Sequence, residues 1–218
     1  MTSFSNIIPP FSHVFLRKAQ NKLTDFLLAS ALILAVLSIF SCKTTPKKEK
    51  ISISRKLYDT GKLSAAQLTD FLLMQNPASD FEEIYNFALF YIEEAAMEGI
   101  NSDVAFAQMC LETGYLKFGN LVTPEMHNYC GLGAIDKDNP GCSFPTIQMG
   151  IRAHIQHLQA YATTEDVSLN NELIDPRYSW VHKTKYVETI DGLTGTWATD
   201  PNYSVKLDAI LQRMEEMN

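Results

Sequence analysis

Positive charge is scarce over most of this sequence. From Leu63 to the C-terminus, eight Lys and Arg stand against 22 Asp and Glu. Such a body repels phosphate backbones, which argues against nucleic acid as a partner. Metal-ligand spacings are missing too: the chain has no CxxC and no HExxH, so no metal site and no cofactor are expected. No internal repeat is visible, which excludes a solenoid. Long apolar runs are also absent. The longest, Leu27 to Phe40, is broken by Ser30 and Ser38 and is short for a spanning helix.

What that run does resemble is a secretory signal. Arg17, Lys18 and Lys22 precede it and Ser41-Cys42 closes it, an order of basic, apolar and small residues that marks a cleavage site. The cysteine makes it similar to a bacterial lipoprotein signal, with Cys42 as the acylated residue. Ile39-Phe40-Ser41-Cys42 departs from the usual Leu-Ala-Gly-Cys type, so ordinary cleavage and retention as an anchor stay open. The expected division is a signal over 1–41, a flexible basic tether over 42–62 and a folded domain over 63–218. The tether carries seven Lys and Arg against two acids, suited to an anionic leaflet or to solvent. With Cys42 given to lipid, Cys110, Cys130 and Cys142 remain. Cys110 falls in an apolar helix as a core thiol, and Cys130 with Cys142 is the expected disulfide pair in an oxidising compartment.

The folded part is organised around residues 104–115. Val104 to Leu111 is apolar but for Gln108, and a helix here has little surface to give to water. Ser102 is the expected N-cap and Gly114 the left-handed C-terminal stop. Glu112 sits in the last turn, where the helix dipole disfavours an anion. Tyr115, Leu116 and Phe118 follow and can desolvate it. Both effects raise a carboxyl pKa, as a general acid working near neutral pH requires.

Around it the pattern is helical. Ser64 to Gln67 and Ser79 to Glu82 fit capping boxes, and an apolar stripe runs from Phe81 to Ala96 before Gly99. Periodicity fails between Phe118 and Phe144, where glycine and proline recur, and Ile135 to Ser143 suggests a small hairpin lobe. Helix returns with Ile147, Ile151, Ile155 and Leu158. His154 and His157 on it read as surface or groove histidines. Asp175 to Tyr178 is a turn. Asp200-Pro201 opens a last helix with Leu207, Ile210, Leu211 and Met214 on one stripe. The expected fold class is α+β, mostly α, with a small glycine-rich β lobe at about 120–145.

Glu98 to Gly114, with Asn128 to Ala134, Gly150 to Leu158 and Thr196 to Tyr203, resembles bacterial glucosaminidases, the peptidoglycan hydrolases of glycoside hydrolase family 73. The resemblance covers roughly Phe81 to the C-terminus in ordered blocks. It implies a lysozyme-like domain acting as an endo-β-N-acetylglucosaminidase on the β-1,4 bonds of peptidoglycan glycan strands. It places Glu112 as general acid and Tyr129 beside the catalytic centre. It makes Trp197 and Tyr203 candidates for stacking on sugars, and Asn128 and Asp200 for hydrogen bonds to them. A second acid, where the family uses one, comes from the small lobe, which here offers Asp136 and Asp138. A lytic transglycosylase and a non-catalytic glycan-binding lipoprotein are the alternatives. The protein is expected as a monomer, anchored by lipid in a bacterial envelope.

Overall fold

The computed structural model describes residues 51–164 and 166–217. The expected signal, Cys42 and the expected tether as far as Lys50 lie outside the described residues. Among the described residues six helices carry the fold: α1 (Ala65–Gln75), α2 (Phe81–Glu98), α3 (Ser102–Thr113), α4 (Ile147–Ala162), α5 (Tyr178–Thr184) and α6 (Tyr203–Met217). Two 3₁₀ turns, Pro124–Met126 and Ile190–Leu193, sit between them.

Side chains start these helices. At α1 the capping box is complete: Ser64 Oγ accepts from Gln67 N–H, and Gln67 Oε1 accepts from Ser64 N–H at 2.9 Å. Asp80 rather than Ser79 caps α2, accepting from Glu83 N–H at 3.0 Å. Asn101 rather than Ser102 caps α3, accepting from the amides of Asp103 and Val104. The Asn101 side chain is oriented for this by its Nδ2, which donates to Ser54 O and Lys56 O at 3.0 and 3.3 Å. Gly114 then ends α3 at φ 59°, a left-handed residue that glycine adopts without a Cβ clash.

α3 is the core. Every residue from Ser102 to Cys110 is buried, and α2, α4, α6 and α1 pack around it. Phe106 of α3 meets Phe87 and Tyr91 of α2 edge-on, with ring centroids 6.3 and 5.6 Å apart, a geometry aromatic quadrupoles favour.

The packed body begins earlier than the sequence suggests. Ile53 and Leu57, read as tether, are buried, Leu57 completely. Arg55 bridges Asp208 and Glu215 of α6 at 2.6 and 2.5 Å. Asp103 accepts from the amides of Lys62 and Leu63. Charge and polarity within 51–62 hide two apolar anchors spaced four apart, so this segment belongs to the domain.

The glycine-rich segment carries no strand among the described residues. The bridges among the described residues are isolated pairs elsewhere: Lys56 with Thr189, Tyr58 with Ile100 and Thr194 with Ala198. Side chains order the segment instead. Asn128 Nδ2 donates to Leu132 O and Cys142 O, each at 3.0 Å, and its Oδ1 accepts from Leu132 N–H at 2.9 Å. Asp136 gathers the amides of Asp138 and Asn139 into a tight turn. Prolines 124, 140 and 145 lack the donors a ladder needs. The segment is seated on α4 through Gly150, where a Cβ would fall 1.8 Å from His127 O. Cys130 and Cys142, expected as a disulfide, are free thiols, as is Cys110. Cys142 N–H pairs with Leu132 O at 2.8 Å, and Cys142 packs against the small apolar cluster that holds Cys130.

Candidate active site

Glu112 projects from the last turn of α3 into a cleft of about 280 Å³, lined also by Phe118, Leu121, Asn128, Cys130 and Trp197. It is the sole carboxylate among the lining residues. Behind it the chain turns sharply: Tyr115, Leu116 and Phe118 all have positive φ, between 55° and 61°. Left-handed backbone at non-glycine residues is costly and persists where surrounding contacts hold it. Here Phe118 N–H bonds Thr113 O at 2.8 Å, and Leu116 N–H bonds Thr113 Oγ1 at 2.9 Å.

Two donors reach Glu112, and both take Oε1: Tyr203 O–H at 2.5 Å and Trp197 Nε1–H at 3.1 Å. Oε2 is left without a protein donor among the described residues. Burial pushes the Glu112 carboxyl above its ordinary range, while the Tyr203 and Trp197 hydrogen bonds oppose that rise. The carboxyl is thus held through one oxygen and biased toward its acid form, with the other oxygen available to the cleft.

Tyr203 is the end of a buried chain of hydrogen bonds. Because its O–H donates to Glu112, its oxygen accepts, and Gln108 Nε2–H supplies that bond at 2.8 Å. Gln108 Oε1 lies 3.0 Å from His154 Nε2, and His154 Nδ1 lies 2.9 Å from Tyr91 O–H. Only one polarity satisfies all four members: Tyr91 donates to Nδ1, and Nε2–H donates to Gln108. Burial takes the His154 pKa down to about 3, so the imidazole is neutral and can play both parts. The chain fixes the phenol of Tyr203 as a donor toward Glu112.

The structure brings together some of the residues expected at the site. Trp197 and Asn128 line the cleft with Glu112, but Asn128 spends both amide hydrogens on the loop. Tyr203 is 5% exposed and supports Glu112 instead of offering a face to a sugar. Tyr129 is a core residue, its ring 4.9 Å from Phe87 and edge-on to it, and burial pushes its phenol up. Asp136 and Asp138 do not line the cleft. Both are exposed, and Asp136 is held below the ordinary carboxylate range by Asn139. Asp200 pairs with Lys206 at 2.6 Å and accepts from Asn202 N–H at the entry to α6, outside the cleft lining.

His154 is buried in the chain just described, not at a surface or groove, whereas His157, though largely buried against Asp175 at 2.7 Å, reaches the lining of an adjacent pocket. No group of three or more His, Cys, Asp or Glu among the described residues is placed to hold a metal. Sequence reasoning missed Gln108, His154 and Tyr91. One signal was present: Gln108 is the lone polar residue in an apolar run and precedes Glu112 by four, which puts both on one helix face.

A family model described as mannosyl-glycoprotein endo-beta-N-acetylglucosaminidase matches residues 88–216. The chain belongs to the glucosaminidase family. An uncharacterized protein of Borreliella burgdorferi is 40% identical over 197 residues, covering 86% of this chain and 95% of that one. No solved structure matches it. The mostly helical architecture is consistent with a lysozyme-like glucosaminidase domain. The family match begins within α2, so α1 and the segment from Ile51 lie before it, yet both contribute to the main core.

Proposed function

We propose that this glucosaminidase hydrolyses the β-1,4 bond after N-acetylglucosamine in peptidoglycan strands, with Glu112 as the proton donor. The observation that carries the reading is a lone carboxylate, raised by burial and gripped through one oxygen, at the floor of a cleft. Glu112 protonates the leaving oxygen as the C1–O bond breaks, and the carboxylate so formed keeps its hydrogen bonds to Tyr203 and Trp197. With no second carboxylate in the lining, the substrate's own acetamido oxygen attacks C1, as in substrate-assisted glycosidases. Water then opens that ring and returns a proton to Glu112.

The same single carboxylate supports a second reading, a lytic transglycosylase in which a sugar hydroxyl, not water, closes on C1. Mass analysis of products from purified peptidoglycan separates the two. Reducing-end N-acetylglucosamine supports hydrolysis, and anhydro-muramic ends support the transglycosylase. Binding with no product of either kind would leave a non-catalytic glycan-binding protein.

We also propose that the chain is a lipoprotein of a bacterial cell envelope, acylated at Cys42 and monomeric, on the basic, apolar, Ser-Cys order of its first 42 residues. Cys42→Ser is then expected to move the protein from the membrane to the soluble fraction, and unchanged membrane association contradicts acylation.

A further inference from the structure

Beside the Glu112 cleft lies a second pocket of about 230 Å³. The two share Cys130, Gly131, Ala134 and Trp197 in their linings, so they adjoin along the Trp197 side chain. The second pocket differs in chemistry. It has Arg177 and Lys185 in its lining and no carboxylate. The Arg177 guanidinium and the Lys185 ammonium lie 5.9 and 5.8 Å from the centroid of one ring, that of Trp180, which is 55% exposed.

Among the described residues Arg177 and Lys185 share with Lys117, Lys137 and Lys183 the lack of an ion-pair partner, but of these only Arg177 and Lys185 stand in the pocket lining. The other arginines of the body are engaged elsewhere: Arg152 pairs with Glu94, and Arg213 bonds Tyr115 and Gln75. Lys206 pairs with Asp200. No carboxylate among the described residues lies within ion-pair distance of Arg177 or Lys185, although acids outnumber bases almost three to one from Leu63 onward. Cation–π contact with one indole compensates two like charges only modestly. The buried Asp175, two residues before Arg177, accepts from the Arg177 amide through Oδ1 and meets His157, another lining residue, through Oδ2. Two unneutralised cations on an aromatic platform, next to a glycan-cleaving cleft in an acidic protein, form a place for an anion attached to a ring.

We propose that this pocket binds a carboxylate carried by the glycan strand, either the lactyl acid on the muramic sugar or a carboxylate of the peptide joined through it. The inference rests on the reading of the Glu112 cleft as the site of cleavage. It goes further in making the enzyme prefer anionic peptidoglycan over neutral N-acetylglucosamine polymer. The indole of Trp180 covers the apolar face of the substituted sugar while Arg177 and Lys185 meet its charge.

The test compares full-length wild type with the double variant Arg177→Gln/Lys185→Gln on three substrates: stem-bearing strands, strands stripped to the free lactyl acid, and a neutral chitooligosaccharide. The expected result is a fall on the order of tenfold in the ratio of anionic to neutral kcat/KM, the size of one or two charge-assisted contacts. It enters through KM and shrinks in the wild type as salt rises. A fall confined to stripped strands assigns the lactyl acid, and a fall confined to stem-bearing strands assigns the peptide. An unchanged ratio overturns the proposal, including the case in which all three substrates lose activity equally. Calorimetric binding of the same ligands, with and without the double substitution in a Glu112→Gln background, judges the pocket separately. Charge-dependent binding there upholds it even where the wild type cleaves nothing, which would instead refute the reading of the cleft.

Discussion

Tyr203→Phe removes one oxygen from the site and keeps the ring that packs it. The loss is felt twice. Glu112 Oε1 loses its 2.5 Å donor, and Gln108 Nε2–H, at 2.8 Å from the same oxygen, loses its acceptor inside the core. A hydrogen bond to a charged group contributes about 1.5–3 kcal/mol, and a buried donor left unsatisfied costs about 1–3 kcal/mol. The two overlap, because Glu112 can hold its proton and avoid part of the first loss, so we expect a destabilisation of about 2–4 kcal/mol at neutral pH. Chemical denaturation monitored by circular dichroism measures it.

The pH dependence gives the sharper check. Burial has already raised the Glu112 pKa in the folded state, and the Tyr203 hydrogen bond works against that rise. The acid form, and any stability linked to it, is therefore complete below the unfolded carboxylate pKa and is lost as pH rises through the folded value. Without Tyr203 the folded value climbs further. In acid the gap in stability between variant and wild type should fall to the pH-independent loss at Gln108, and it should widen with rising pH, while the alkaline limb of the activity profile should move to higher pH. A limb that moves to lower pH, or a gap that narrows as pH rises, would refute the role given to Tyr203.

Other substitutions probe the frame around the site. Leu57→Ala deletes a fully buried side chain and should cost about 2–5 kcal/mol by denaturation, whereas a tether residue would cost nothing. Gly150→Ala places a methyl against His127 O and should lower the melting temperature while loosening the segment that carries Asn128, read as faster amide exchange there. Asp136→Asn and Asp138→Asn, made separately, should leave turnover near wild type, because neither side chain lines the cleft; a loss as severe as that of Glu112→Gln would return one of them to the chemistry.

Much of the helical frame was legible because capping and periodicity are local. Ser64 with Gln67, the stops at Gly99 and Gly114, and the Ile147 to Leu158 stripe are all readable within a few residues. Glu112 was legible for the same reason, an acid stranded in an apolar run. What stayed hidden depends on distant partners. The β lobe was inferred from glycine and proline spacing, but Asn128 satisfies three backbone groups by itself and removes the need for a ladder. Residues 51–62 looked like tether because their charge is local, while the partners of Arg55, on α6, are some 150 residues away. His154 gave no sign of burial, since Gln108 and Tyr91, which satisfy it, come from two other helices. α5 was missed because a seven-residue helix is too short to show a period.

The claim on which the account turns is that Glu112 donates the proton. Glu112→Gln preserves size and can still accept from Tyr203 and Trp197, but it has no carboxyl proton to give. Digestion of purified peptidoglycan by the two proteins, with product release followed by mass, measures the difference. The account predicts a fall in turnover on the order of 10²–10⁴-fold, the range for removal of a general acid, with the folded state retained. Near-wild-type turnover by Glu112→Gln would contradict it.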